Sequence, residues 1–405
     1  MAKRSRSSIQ DNLLVATEST RGLKATNEDR ACSVRVERVG MCFGVYDGHG
    51  GTEAADFTTA NLIRNIAQRL RRLNPSLNEA HAAAERSTAK RAHRGDDSAE
   101  RAADTPAEAA AGGGGGGGDG GGDGGGDGGG DGGEAGDGDV GASEEDAEDA
   151  RDEGESRCVL LPDRDICAAM AEGFLQTDAD FLELAKRRTI KDGATAIVVL
   201  VHGDDAADAR LVVANCGDSR AVLCRGAREA VRLSRDHKPD LPGERARIER
   251  SGGYVVQVRG LWRVTSASGV GVSLKRPTVS LYLAVSRAIG DLTLKTPSPI
   301  VSARPEVRIE RLRGDDLFVV VACDGIWDVL SDQAAVDIAA EHVHSPQEAA
   351  QAIVRAALAK GSGDNLTVTV VVFGWQTERA AALLEGKATT KPKAAAEAEE
   401  VDMFG

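Results

Sequence analysis

A layered α+β fold built on antiparallel sheets is the architecture this sequence predicts, and three observations predict it. Strand-like apolar blocks are short and numerous. Helical periodicity comes in stretches before and after groups of those blocks, not alternating with each one. Neither the G-x-G-x-x-G nor the G-x-x-x-x-G-K-[ST] fingerprint of a nucleotide-binding βαβ unit is present.

Taken in order, residues 1–11 read as a flexible start. Strands are expected over 13–17 and 31–39, the second alternating through Val34 and Val36. The polar connection between them carries Glu28 and Asp29. The run Met41-Cys42-Phe43-Gly44-Val45-Tyr46 reads as a buried strand that stops at Asp47 and turns on Gly48, Gly50 and Gly51 around His49. Thr52 is placed to cap a helix reaching Leu73, with Phe57, Leu62, Ile63, Ile66 and Leu70 on its apolar face. A second amphipathic helix is expected over 163–187, on Ile166, Met170, Phe174, Phe181 and Leu184. Strands over 194–201, 209–216 and 220–224 follow, joined by Gly/Asp turns that include Asp204-Asp205. A short helix over 244–251 and a strand over 254–258 come next. The apolar block 317–322 ends at Cys323-Asp324-Gly325. Two helices follow it, the second opened by the capping box Ser345-Pro346-Gln347-Glu348. Residues 366–373 form the last core strand.

Composition sets the domain plan. The chain has 405 residues and a net charge of -14, and residues 112–157 hold 15 Asp and Glu against 2 Arg, which accounts for 13 of those negative charges. The acidity is thus a property of one segment. Residues 75–157, alanine- and charge-rich and then Gly-Gly-Gly-Asp repeats, cannot bury enough apolar surface to offset their ordering entropy, so a disordered insert is expected there. The repeat has a period of four with no apolar position, which excludes a calcium-binding β-roll. The insert has two readings, a solvated linker or a charged segment that captures basic protein partners. The folded part is then 12–74 and 158–375, with a flexible tail over 376–405. The 7 cysteines show no C-x-x-C and several sit in apolar runs, which predicts reduced thiols in a cytoplasmic or nuclear protein. No apolar run is long enough to span a bilayer. A monomer that binds neither membrane nor nucleic acid is expected.

The chemistry-bearing residues are carboxylates at strand ends: Glu28, Asp29, Asp47, Asp218, Asp324, Asp328 and Asp364. Asp47 and Asp324 each follow an apolar strand and precede a glycine, and Asp364 immediately precedes the final strand. One Asp-Gly is commonly a turn. Several strand-terminal aspartates in one chain suit all-oxygen ligation of a hard ion such as Mg²⁺ or Mn²⁺. Two such ions about 3.5–4 Å apart activate water and clamp a phosphoryl group.

Eight segments then occur in a telling order: Asn27-Glu28-Asp29-Arg30, Val45-Tyr46-Asp47-Gly48-His49-Gly50-Gly51, Gly193-Ala194-Thr195-Ala196, Asn215-Cys216-Gly217-Asp218-Ser219-Arg220, Asp236-His237-Lys238-Pro239, Leu283-Ala284-Val285-Ser286-Arg287-Ala288-Ile289-Gly290-Asp291, Ala322-Cys323-Asp324-Gly325-Ile326-Trp327-Asp328 and Gly363-Asp364-Asn365. The series resembles that of the type 2C protein phosphatases, metal-dependent Ser/Thr phosphatases, over about 12–73 and 158–375. The resemblance implies a four-layer αββα sandwich, two antiparallel sheets flanked by helices. It implies that Asp47, Asp324, Asp364 and the Gly48 carbonyl bind two Mg²⁺ or Mn²⁺ ions, with Glu28 and Asp29 acting there largely through waters. Asp218 and Asp328 match a third, weaker metal position. His49 matches the general acid that protonates the leaving Ser or Thr oxygen. The activity implied is hydrolysis of phosphoserine and phosphothreonine in proteins by metal-activated water, with no phosphoenzyme. A pseudophosphatase binding module on the same fold is the alternative.

Two departures stand out. Where the family usually carries a phosphate-binding arginine, this chain has Lys24, with Arg21 nearby; lysine keeps the charge without the bidentate fork. Between Trp262-Arg263-Val264 and Leu283, residues 265–282 intervene beside the family's flap, read as a flap insertion, a plain surface loop or a retained intron. C-x5-R spacing at Cys32/Arg38 and Cys158/Arg164 lacks the glycines of a cysteine-phosphatase cradle. His237 and Lys238 read as structural, and His202, His342 and His344 show no ligand spacing.

Overall fold

The computed structural model describes residues 8–78, 158–205, 207–266 and 283–376. Residues 79–157 of the insert, most of the 265–282 loop and the tail beyond 376 lie outside the described residues; residues 75–78, expected to begin the disordered insert, instead form a helical turn after α1 that buries Leu77.

Two five-stranded antiparallel sheets form the centre. One has the order β1 (Leu13–Thr20), β15 (Leu366–Phe373), β14 (Asp316–Ala322), β8 (Arg220–Arg225), β9 (Glu229–Arg232). The other runs β13 (Glu306–Arg311), β7 (Arg210–Cys216), β6 (Ala196–His202), β3 (Gly40–Tyr46), β2 (Arg30–Val36). Their side chains alternate as a pleated strand requires. Phe43 and Val45 of β3, Ile197 and Val199 of β6, Leu223 of β8, Val319 and Val321 of β14 and Val371 of β15 share the layer between the sheets. The intervening positions face outward. Cys42, Tyr46, Val198 and Leu200 pack with Leu62 and Ile66 of α1 (Glu53–Leu73) and with Met170 and Phe174 of α2 (Asp163–Arg188). On the opposite side, Phe318, Val320, Val368 and Val370 pack with Val336 of α6 (Asp332–Glu341) and Ile353 of α7 (Pro346–Ala359). Helices thus cover both sheets, giving the four-layer sandwich. Burial on both faces also explains why antiparallel strands read as unbroken apolar runs, a pattern more usual in parallel sheets.

The remaining elements are small. A three-stranded sheet joins β4 (Gly48–His49), β5 (Gly193–Ala194) and β12 (Ile289–Gly290). Beside it lie the hairpin β10 (Tyr254–Val258) and β11 (Leu261–Thr265), the helix α3 (Pro242–Arg250), and the short helix α4 (Leu292–Lys295). A further short helix, α5 (Asp324–Trp327), opens directly after β14.

The expected core strands and long helices all form, with ends shifted by a few residues. The strands β9, β11 and β13 were not foreseen. They are short or peripheral, and β13 alternates charge and aliphatic in Glu306-Val307-Arg308-Ile309-Glu310-Arg311, which resembles a solvated loop until it pairs with β7. The Thr52 cap is corrected. Thr52 precedes α1 but its side chain makes no capping bond. The Glu53 N–H instead donates to Asp192 Oδ2 at 3.1 Å, a long-range cap invisible to local sequence. Ser345 does cap α7, accepting from the Glu348 N–H at 3.3 Å.

Because the layer between the sheets is fully buried, truncation there leaves a cavity the rigid strands cannot close. Leu223→Ala, at a position with no exposure, is expected to lower unfolding free energy by about 2–5 kcal/mol in urea titration. Leu175→Ala, on the partly exposed face of α2, is expected to cost less than about 1 kcal/mol.

Candidate metal and phosphate centre

Strand register brings the carboxylates to one edge of the sandwich. Arg30 of β2 pairs with Tyr46 of β3, so Asp29 and Asp47 lie side by side just past the paired ends. Ala322 of β14 pairs with Val368 of β15 and with Arg220 of β8, which brings Asp324, Asp364 and Asp218 to the equivalent edge of the other sheet. One oxygen from each of Asp47, Asp218 and Asp324 lies within 4.8 Å of the other two, and one ligand atom from each of Asp29, Asp47 and Cys323 meets the same limit. Asp47 is therefore common to both groups. Gly48 is required by packing at this point: a Cβ there would sit 2.4 Å from the Glu28 carbonyl oxygen.

The loop before β2 is tied to the end of β15 by one side chain. Asn365 Oδ1 accepts from the Glu28 N–H at 2.9 Å, and its Nδ2 donates to the carbonyls of Arg21 and Thr26, each at 2.9 Å. That clamp sets Lys24 over the carboxylates, where Lys24 Nζ lies 2.7 Å from Asp364 Oδ1. Burial weighs against the Lys24 charge, but Asp364, then Asp47 and Asp324, outweigh it and push its pKa up. Arg21 is exposed, and its Nη1 donates to the Lys24 carbonyl at 2.9 Å. Of these two cations it is Lys24 that reaches the carboxylates, and Arg21 braces its backbone.

The electrostatics are those of a centre short of positive charge. Asp29 is 3% exposed, and neither of its carboxylate oxygens has a hydrogen-bond partner in bonding geometry. Burial raises its pKa to about 6. Burial, then Asp218 and Asp328, raises Asp324 to about 7. Asp47 is pushed up by burial and then by Asp324, Asp29 and Asp218. The pKa of Asp328, one turn after Asp324, is raised by partial desolvation of its carboxylate and by repulsion from Asp218, against the lowering effect of Lys238. Carboxylate oxygens set within reach of one another, those of Asp29 buried and without a donor, fit a hard divalent cation, which would supply the missing charge.

Three residues at the centre were not singled out from sequence. Lys238, read as structural, places Nζ 2.5 Å from Asp218 Oδ2. Its neighbour His237 is structural as expected, fully buried, with Nδ1 accepting from the Gly217 N–H at 3.1 Å. Asp291, 1% exposed, takes His49 Nε2 at 2.9 and 3.1 Å on its two oxygens. Burial lowers the His49 pKa, but the Asp291 carboxylate outweighs it and holds it above the ordinary value. Gly193 makes that contact possible, since a Cβ there would lie 2.2 Å from Asp291 Oδ2 and 2.3 Å from His49 Nε2. Asn365 is the third. Each of the three stood inside a quoted motif, yet nothing local marks a residue whose partner lies far along the chain.

The raised pKa values fix a pH dependence. Asp29 and Asp324 bind protons in the folded state up to about pH 6 and 7, well above the unfolded value near 3.8. Their contribution is therefore present at low pH and is lost as pH rises through 6–7. Metal-stripped protein in EDTA is expected to melt at lower temperature at pH 8 than at pH 5.5. Added Mn²⁺ should raise the melting temperature more at pH 8, where no proton must be displaced; a rise that is equal at both pH values would contradict this charge accounting.

A family model for protein phosphatase 2C matches residues 136–366. A probable protein phosphatase 2C 59 of Arabidopsis thaliana is 42% identical over 209 residues, 52% of this chain and 59% of the relative. A probable protein phosphatase 2C 25 of the same plant is 30% identical over 359 residues, 87% of this chain and 62% of the relative. The chain thus spans under two thirds of the length of these curated relatives. Among solved structures, a serine-threonine phosphatase 2C from Toxoplasma gondii superposes with a TM-score of 0.57 at 22% identity, over 88% of this chain and 94% of that one, a likeness of fold. With a family match over more than half its length, this chain belongs to the protein phosphatase 2C family.

Proposed function

We propose that this chain is a Mg²⁺- or Mn²⁺-dependent protein Ser/Thr phosphatase that hydrolyses phosphoserine and phosphothreonine in protein substrates met in the cytoplasm or nucleus. The observation that carries the reading is the joint presence, at one sandwich edge, of clustered carboxylates, Asp29 among them buried and without a donor, and a carboxylate-held histidine. Asp47, Asp324 and Asp364 would hold two ions, with Gly48, Glu28 and Asp29 around them and with Asp218 and Asp328 toward a third. Bound there, the ions supply Lewis acidity to the phosphoryl oxygens and lower the pKa of water.

The chain's own residues divide the rest of the work. Lys24 attracts and orients the phosphate, as a point charge without a guanidinium's paired bonds, so its grip is looser than an arginine's. His49, kept protonated by Asp291, gives a proton to the departing Ser or Thr oxygen, which as an alkoxide is a poor leaving group. Asp291 occupies Nε2, so the imidazole is oriented and its other nitrogen, Nδ1, carries the transferable proton. Cys323, next to Asp324, is no competing nucleophile: it is fully buried, and burial, then Asp29 and Asp47, push its thiol pKa up.

Hydrolysis of a phosphothreonine peptide with saturating Mn²⁺ tests the reading. Wild type is expected to turn over, Asp324→Asn to lose about a hundred-fold or more in kcat, and EDTA to abolish activity. A wild type inert under saturating metal would sink it. Asp291→Asn is expected to lower kcat by about ten-fold and to move the basic limb of the pH profile downward, because His49 then loses its proton at lower pH.

A further inference from the structure

At the Asp218 end of the centre the cation is already built into the chain. Asp218 is 2% exposed, and Lys238 Nζ meets its Oδ2 at 2.5 Å. Burial disfavours the Lys238 charge, but Asp218, then Asp324 and Asp328, outweigh it. Asp218 and Asp328 are the residues matched to the third cation position, and Asp324 offers an oxygen within 4.8 Å of one from Asp218.

The contact is prepared by the backbone. The His237 N–H donates to the Gly217 carbonyl at 2.9 Å, and the Gly217 N–H donates back to His237 Nδ1 at 3.1 Å. Asn215 Nδ2 donates to the Arg235 carbonyl at 2.9 Å, and Arg220 grips the Asp236 carboxylate with both Nε and Nη2. The segment carrying Lys238 is thus laced on both sides to the turn carrying Asp218. The backbone is fixed, while the ammonium end stays displaceable: the Lys238 side chain is 34% exposed against 2% for that of Asp218. Lysine carries its charge on a flexible four-carbon stem.

We propose that Lys238 is a resident counter-ion of the Asp218–Asp324–Asp328 end, which a third divalent cation enters only by driving the ammonium off Asp218. Lys238 then keeps the third position weak and leaves the Asp29–Asp47 side, where both Asp29 oxygens are buried and without a donor, to the tight ions. The proposal rests on the phosphatase reading only in treating the centre as a divalent-cation site.

Mn²⁺ binding to the full chain, read as free Mn²⁺ by electron paramagnetic resonance, tests it without recourse to activity. Wild type is expected to bind two ions tightly and a third weakly. Lys238→Met should tighten the third event by about ten-fold or more, the scale of one charge-assisted hydrogen bond removed from the competitor. Lys238→Arg, whose fork grips a carboxylate more firmly, should weaken it. A Met variant whose third event is unchanged or weaker overturns the proposal. Should the Met variant not fold, an Arg variant with third-ion affinity equal to or tighter than wild type overturns it alone. Two binding events with no third in wild type overturn the Lys238 role and leave the two-ion centre standing, whereas no binding at all overturns both.

Discussion

Six aspartates converge at one edge of two rigid sheets, and everything distinctive about this molecule follows from keeping them there. Like charges at such distances repel, and burial adds a desolvation penalty at Asp29, Asp47 and Asp324. A flexible scaffold would relax by splaying the loops apart. Here the carboxylates leave strands whose ends are locked by register, with Tyr46 paired to Arg30 and Ala322 paired to both Val368 and Arg220. The sandwich core, packed with Val, Ile and Leu on both faces of each sheet, supplies the stability that the centre draws down. Raised pKa values at Asp29, Asp47 and Asp324 are the residue of that conflict.

Polar bonds then align the loops on this frame. Asn365 makes the clearest case, since three hydrogen bonds from one amide hold the Arg21–Glu28 loop against the start of β15. The loop could not keep Lys24 over Asp364 through its own contacts, because Lys24 and its neighbours are exposed. Asp192 does the same service on the other side. It caps α1 through the Glu53 N–H, and its carbonyl accepts from the Asp291 N–H at 2.9 Å, placing the carboxylate that holds His49. Helix, histidine and counter-ion are positioned together by that single residue.

These dependencies explain what was legible in the sequence. Apolar runs ending in Asp-Gly announced β3 and β14, because burial and a strand terminus leave a strong local mark. The carboxylates could be gathered from those ends before any fold was seen. The edge strand β13 left no such mark, its alternation of charge and aliphatic being as consistent with a loop. Thr52 looked like a cap because caps are usually local, and the donor's true acceptor was 139 residues away. Asp291 was hidden for the same reason, its partner His49 lying 242 residues away, and Lys238 meets Asp218 only once the β8–β9 hairpin between them has formed.

The cations at the centre obey one rule of geometry. Lys24 pairs with Asp364 and Lys238 with Asp218, so fixed positive charge sits at both flanks of the aspartate cluster, and neither lysine reaches the buried oxygens of Asp29. A lysine is long enough to neutralise a carboxylate at the rim but carries its charge on a stem that must itself be accommodated. Within the cluster, where one oxygen from each of Asp47, Asp218 and Asp324 lies within 4.8 Å of the others, a small ion with several oxygen contacts is the better fit. Tethered ammonium at the rim and free divalent cation within are thus complementary answers to the same excess of negative charge. The lysines lower the repulsion at the rim, and they leave unsatisfied the Asp29 oxygens that a compact ion can serve.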